Sequence, residues 1–365
     1  MLSTLDRYIL SKFLNTFFFM VLIFSMIGIV VDISDKLDNF LEHKMGAKTI
    51  ILDYYLPFIP NLNGLLIPLY ALIAVIFFTS RMASDCELIS IIGSGVSYNR
   101  MIRPYMIGAA IIASIYLIGN HFVIPLGNQK RCAFENKYFW GGNIISKTDD
   151  LHIFIKPDTK IYMKRYGAQD SSAVEFSLET FDSVGNLKSR LNAARADWQP
   201  FRRDWKLMNY HVRTLDGMNE TYRSSGNDTI ITWLSQYLKP TSIERRDNLN
   251  QTMTTTQLLK FINEERARGA GGYSYYEVEL HRRTSDPFTV FILTMIGLAL
   301  AGRRVRGGMG FHLALGAIIG GLFIFFTKFA ATISINTTIP ASISVWIPNL
   351  IFGVLALYLY KTAQK

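Results

Sequence analysis

The chain has 365 residues, 50% of them hydrophobic, with a mean hydropathy of +0.20 and a formal net charge of +10. Its cations are spread through loops rather than gathered in one basic stripe, which argues against nucleic acid and for anionic lipid as their counterpart. The two cysteines, Cys86 and Cys132, offer neither a disulfide framework nor metal-type spacing.

Long uncharged segments lie at both ends of the chain around a polar middle of about 160 residues. Crossing a hydrocarbon core of about 30 Å takes about 20 residues of helix. The first such segment runs from Phe13 to Val31, with no charge between Lys12 and Asp32. It is too long for the apolar part of a secretory signal peptide, and no A-x-A site follows it. The second runs from Tyr54 to Ser80, with Pro57, Pro60 and Pro68 to bend it, and the third from Pro104 to Gln129.

Between the second and third spans, residues 83–95 read as a short amphipathic helix. Asp85 and Glu87 make an acidic start, Leu88, Ile89, Ile91 and Ile92 an apolar side, and Gly93-Ser94-Gly95 a stop. Such a helix under a membrane is built to be gripped by another protein; a solvated connection is the plainer reading.

The polar middle reads as β. Alternation is visible in 151–155, 161–163, 174–178 and 205–212, with turn signals at Pro157-Asp158, Gly185-Asn186, Asp216-Gly217 and Ser225-Gly226-Asn227. Short strands at this spacing suggest a sandwich or jelly roll. A helix over Thr254 to Arg268, ended by Gly269 to Gly272, leads back to the membrane. Three more spans follow: Pro287 to Gly302, extended backwards by Thr284 and Ser285; Gly307 to Thr327; and the stretch after Lys328 to Tyr360, with a turn at Asn336, Thr337, Thr338 and Pro340. Gly316 and Gly320 of the fifth have small-xxx-small spacing, with Gly321 beside them.

The expected fold is thus an α+β integral membrane protein: six transmembrane helices, three and three, with a β-jelly-roll domain inserted between the third and fourth. The expected domains are 1–127, a first bundle carrying the short helix; 128–253, the β domain; and 254–365, a connecting helix and second bundle. Orientation follows from short-loop cations, which are retained in the cytoplasm. Arg7 and Lys12, then Arg81, Arg100 and Arg103, then Arg303, Arg304 and Arg306, and finally Lys361 and Lys365 all fall on one side. Both termini are then cytoplasmic and the β domain external; the loop from Asp35 to Lys48 mixes Lys36, Lys44 and Lys48 with acids and weakens this only slightly.

No phosphate loop occurs, so any ATP is hydrolysed by another subunit. No nucleophile constellation is present, and His121 and His312 read as packing histidines before proton relays. Leu5-Asp6-Arg7-Tyr8-Ile9, the Arg81 to Gly95 segment, Pro125, and the block from Pro287 to Gly310 ending Arg306-Gly307-Gly308-Met309-Gly310 together resemble the LptF/LptG family of lipopolysaccharide-export permeases, the opening leaning toward LptG. The resemblance covers the membrane half of the chain and lies in the order of motifs and topology. It implies an inner-membrane half-transporter that pairs with a homologous permease and a dimeric ABC ATPase of LptB type, which holds the ATP and magnesium, while the chain itself carries no cofactor or metal. Such a pair extracts lipopolysaccharide and passes it to a periplasmic bridge of LptC/LptA type. It also implies that Asp85, Glu87, Leu88, Ile89 and Ile92 couple to the ATPase, with Glu87 making the charged contact.

A lipid with phosphates and several acyl chains needs a greasy cavity with cations at its outer rim. Lys36, Lys130, Arg131, Lys137 and Lys328 are the candidates, with Asp32 and Asp35 an unusual company for Lys36. Two other readings are open: a membrane-anchored periplasmic binding or scaffold protein, and an enzyme acting on lipid-linked sugar, for which Asp149 and Asp150 are the acidic pair nearest the start of the insert.

Overall fold

The structure, a computed structural model, describes residues 3–139, 149–167, 170–225, 229–231, 233–238, 240–243, 249–268, 273–302, 308–337 and 339–363. Expectations on Arg303 to Gly307, Gly226-Asn227, Gly269 to Gly272, Thr338 and Lys365 lie outside these residues.

Six helices are long and apolar enough to cross a membrane. They are α1 (Thr4–Glu42), α2 (Ala47–Ser84), α4 (Tyr98–Tyr138), α6 (Ser274–Ala301), α7 (Gly308–Asn336) and α8 (Ala341–Ala363). A short α3 (Glu87–Gly93) joins α2 to α4, and α5 (Thr255–Ala267) precedes α6. The chain is a multi-pass membrane protein. Its helices divide into a structural core and an outer belt: α2 and α6 bury most of their length, whereas α1 exposes Phe18, Phe19, Leu22, Met26 and Val30 along one face. Exposed apolar stripes on such helices are what a lipid tail or a partner helix covers.

The chain falls into two compact units, one of residues 1–132, 251–255 and 274–365, the other of 133–250 and 256–273. In the helical unit, α2 and α6 make the central pair, flanked by α1, α4, α7 and α8. Phe13, Phe78 and Tyr105 stack in its main core, with centroids 5.8 and 5.3 Å apart along the row.

α6 begins at Ser274, ten residues before the expected start, and Pro287 lies inside it rather than at its head. Proline cannot donate a backbone hydrogen bond, so the carbonyl four residues earlier loses its partner. That carbonyl belongs to Arg283, and Asn120 of α4 donates to it from Nδ2 at 3.4 Å. Asn349 of α8 donates likewise to the Ser285 carbonyl at 3.0 Å. The Asn120 side chain thus satisfies the carbonyl that the proline frees, and the Asn349 bond ties the same stretch of α6 to α8.

The second unit holds β1 (Asp149–Lys156), β2 (Thr159–Gly167), β3 (Ser172–Phe181), β4 (Leu187–Gln199), β5 (Asp204–Asp216), β6 (Asn219–Ser225) and β7 (Thr229–Ile231). They form one antiparallel sheet in sequential order, with β6 and β7 both paired to β5. This sheet fits the jelly-roll-like insertion between the third and fourth spans, the order of its strands being that of a meander. A rung of cross-strand neighbours, Leu151, Met163, Phe176, Ala193 and Tyr210, runs across five strands and carries its core. Trp205, fully buried, donates from Nε1 to the Leu238 carbonyl at 2.9 Å and ties down the segment after β7.

Candidate functional site

At the end of the helical unit where α1 begins and α8 ends, α1 is capped reciprocally by Ser3 and Asp6. Asp6 is buried and gripped by the two terminal guanidinium nitrogens of Arg100 at 2.9 and 2.8 Å, which fastens α1 to the start of α4. One turn further, Tyr8 donates to Glu87 Oε2 at 3.0 Å and Lys12 Nζ at 3.1 Å. Burial pushes the Glu87 carboxyl up, but the hydrogen bonds from Lys12 and Tyr8 outweigh it and hold the group below the usual carboxylate range.

The five residues expected to couple to a partner therefore face different ways. Leu88 is 2% exposed and packs in the main core, while Ile89 and Ile92 are 55% and 45% exposed. Asp85 pairs loosely with Arg81 at 3.9 Å, both exposed. Cys86, the next residue, has φ 61°, the left-handed turn that separates α2 from α3. Glu87 is bonded to α1. The outward surface of α3 carries Ile89 and Ile92, with Ser90 between them in sequence.

At the opposite end, Asp32 accepts from Tyr55 at 3.2 Å, from Tyr54 at 3.3 Å and from Lys36 at 2.8 Å. Lys36 also bonds the Tyr54 hydroxyl. Its ammonium lies over the Tyr54 ring at 4.8 Å and the Phe58 ring at 5.9 Å, and Arg131 lies over Phe58 at 5.9 Å as well. The structure so brings Lys36 and Arg131 together around Phe58, and Asp32 neutralises Lys36. Lys130 is exposed on α4. Lys137, two turns further along α4, sits over the Tyr138 ring at 4.8 Å in the second unit.

Two wide π-helical turns, Ile50–Tyr55 and Gly119–Val123, occur in α2 and α4 at this end. Such turns frequently mark functional sites. Here they present Tyr54, Tyr55 and Asn120.

Between α2, α4, α6 and α7 lies a cavity of ≈ 160 Å³, lined by Asn61, Tyr116, Asn120, Asn128, Glu279, Arg282, Arg283, Asp286 and Lys328 among others. It continues into a narrow apolar slot of ≈ 40 Å³ between Leu65, Leu69, Leu293, Phe323 and Ile324, with which it shares Tyr116, Arg282, Asp286 and Lys328. Arg282 lies 3.3 Å from Asp286 and 3.6 Å from Glu279. Arg283, nearly fully buried, lies 3.3 Å from Glu279 and donates to Thr255 Oγ1 at 3.3 Å. His121 is 2.9 Å from the same hydroxyl. Three cations face two carboxylates, so one formal positive charge remains. The carboxylates also need hydrogen bonds to be tolerable at this depth, and Tyr116 gives one to Asp286 at 3.4 Å.

Of this cluster, sequence reasoning finds Lys328 and misses Glu279, Arg282, Arg283 and Asp286, because the expected span takes its apolar run from Pro287 and reaches back only to Thr284. The signal was present. These four stand at i, i+3, i+4 and i+7, which places them on one helical face immediately ahead of an apolar run. Asp149 and Asp150, by contrast, bond Arg165 and Tyr162 within the sheet.

A family model described as lipopolysaccharide export system permease LptF/LptG matches residues 7–362. No curated protein matches the chain. A match over nearly the whole length, on six apolar helices with an antiparallel sheet between the third and fourth, places the chain in the LptF/LptG family of lipopolysaccharide-export permeases.

Proposed function

We propose that this chain is one half of an ABC export permease in the inner membrane, with both termini in the cytoplasm and the sheet in the periplasm. The observation that carries this reading, beyond the family itself, is the joined pair of cavities: a polar chamber with surplus positive charge opening into an apolar slot between helices. Phosphate suits the first, and the apolar lining of the second gives the attached acyl chain a surface to start from. Lys36, Lys130, Arg131, Lys137 and Lys328 serve the lipid headgroup along its route, Lys36 and Arg131 through their shared aromatic wall.

ATP and its magnesium belong to a separate ATPase dimer. α3 docks on that dimer with Ile89 and Ile92 as apolar anchors and Asp85 at the rim, while Leu88 fixes the helix from inside. Glu87 adds a charged contact through the part of its side chain left open beside Lys12. A homologous permease covers the exposed stripe of α1, and the sheet hands lipid to a periplasmic bridge protein.

Affinity purification of the full-length tagged chain from native membranes tests this, with mass spectrometry of the proteins and lipids that come with it. An ABC ATPase, a second permease and phosphorylated glycolipid are expected. Ile92→Asp and Glu87→Arg should lose the ATPase and keep the second permease, Ile92→Asp being the cleaner because its side chain supports no internal ion pair. A chain that arrives alone, or with unrelated periplasmic proteins, overturns the export reading.

A further inference from the structure

We propose that Arg282 and Lys328 form an anion clamp across α6 and α7 whose resident counter-ion, Asp286, is exchanged for a phosphate group of an amphiphile and returns to expel it. The proposal deepens the export reading and rests on it for the identity of the amphiphile.

The two cations differ in what satisfies them. Arg282 is held by Asp286 at 3.3 Å and Glu279 at 3.6 Å. Lys328 lines both cavities, yet its ammonium makes no hydrogen bond or ion pair among the described residues. It stands on a face of α7 that otherwise exposes Phe325 and Phe329. An ammonium on such a face is costly without an anion. Asp286, which lines both cavities with it, is already engaged by Arg282 and by the Tyr116 hydroxyl.

The two carboxylates differ as well. Glu279 is fixed between both arginines, and Arg283 is buried and tied to Thr255. Asp286 has one long hydrogen bond from Tyr116 and its pairing with Arg282. It is the movable member. A phosphate offers several acceptor oxygens, enough for the planar guanidinium and the point charge of the lysine at once. Leu65, Leu293 and Phe323, which line the adjoining slot, give the apolar part of the amphiphile a first surface beside the clamp. A carboxylate that stays within reach gives the reverse step: once Asp286 recaptures Arg282, the phosphate has lost its better ligand.

The test uses the full chain with its co-purifying partners in nanodiscs and two probes, bisphosphorylated lipid A and the same lipid with its phosphates removed. Asp286→Asn should bind the phosphorylated probe roughly tenfold more tightly, the scale of one competing charge-assisted hydrogen bond removed. It should also release that probe more slowly to acceptor vesicles, and leave binding of the dephosphorylated probe unchanged. Arg282→Gln and Lys328→Gln should each erase the preference for phosphate. Should Asp286→Asn not fold, Tyr116→Phe gives the opposite sign: it frees the carboxylate to hold Arg282 more firmly, so the phosphorylated probe binds several-fold more weakly. Unchanged or weakened affinity in Asp286→Asn, with the wild type still preferring phosphate, overturns the exchange and leaves the export reading standing. A wild type that binds both probes equally removes the clamp, and one that binds neither removes the export reading too.

Discussion

Gly108 sits where α4 meets α1, and a Cβ there would lie 2.4 and 2.7 Å from the Cδ1 and Cε1 atoms of Phe13. Phe13 belongs to the buried row with Phe78 and Tyr105, so its ring has no open space to turn into. Overpacking of this kind costs about 1–3 kcal/mol. Gly108→Ala is therefore expected to lower the midpoint of thermal unfolding in detergent, whereas Gly321→Ala, with nothing within 4 Å, is not. Equal midpoints for the two variants would show that this seam is looser than it looks. Single residues were legible in the sequence when their role was local. Glu87 could be read as the acidic start of a short helix, but its partners Lys12 and Tyr8 stand 75 and 79 positions away, and pairings at that range leave no periodic trace. Asp6 is similar: its cap on α1 is a local pattern, while its grip on Arg100 appears only in three dimensions.

Whole elements were legible where hydrophobic period alone decides them, as in the six spans and in strands β1, β2, β3 and β5. β4 was not seen, because the positions it turns inward at its centre are Ala193 and Ala196, small residues that carry little strand signal yet fit against Phe176 and Leu207 on the neighbouring strands. The true start of α6 was hidden for a different reason. A proline followed by an apolar run reads as a helix head, and nothing local announces that Asn120, from another helix, accommodates the freed carbonyl of Arg283. That arrangement predicts non-additive mutations. Asn120→Ala leaves a buried carbonyl unsatisfied, at about 1–3 kcal/mol. Pro287→Ala returns an N–H to that carbonyl, so Asn120→Ala should cost markedly less in the Pro287→Ala background. Thermal or denaturant unfolding of the four proteins in the cycle measures this. Strictly additive losses would mean that Asn120 serves the cavity alone and not the continuity of α6.

The charge pattern of the molecule as a whole bears on which way it sits in the membrane. Contacts between Asp6 and Arg100, between Lys12 and Glu87, and between the Tyr98 and Tyr360 rings 5.5 Å apart gather Arg7, Lys12, Arg81, Arg100, Arg103 and Lys361 at one end of the helical unit. Cations beside span ends are retained on the cytoplasmic side. The other end holds Asp32 beside Lys36 and the mixed cluster of α6, where positive and negative groups largely cancel and retention has little to act on. If all six helices cross, the proposed orientation assigns the insertion after the third span to the compartment opposite α3. Cys86, exposed beside α3, is a native reporter for one side, and Ser183, exposed between β3 and β4, can be made one for the other. In a Cys132→Ser background, a membrane-impermeant maleimide added to spheroplasts should label Ser183→Cys at once and Cys86 only after the membrane is dissolved. Labelling of Cys86 in intact spheroplasts would put α3 outside, out of reach of any cytoplasmic ATPase, and the surplus charge of the cavity would then have to be explained by a ligand arriving from the other face.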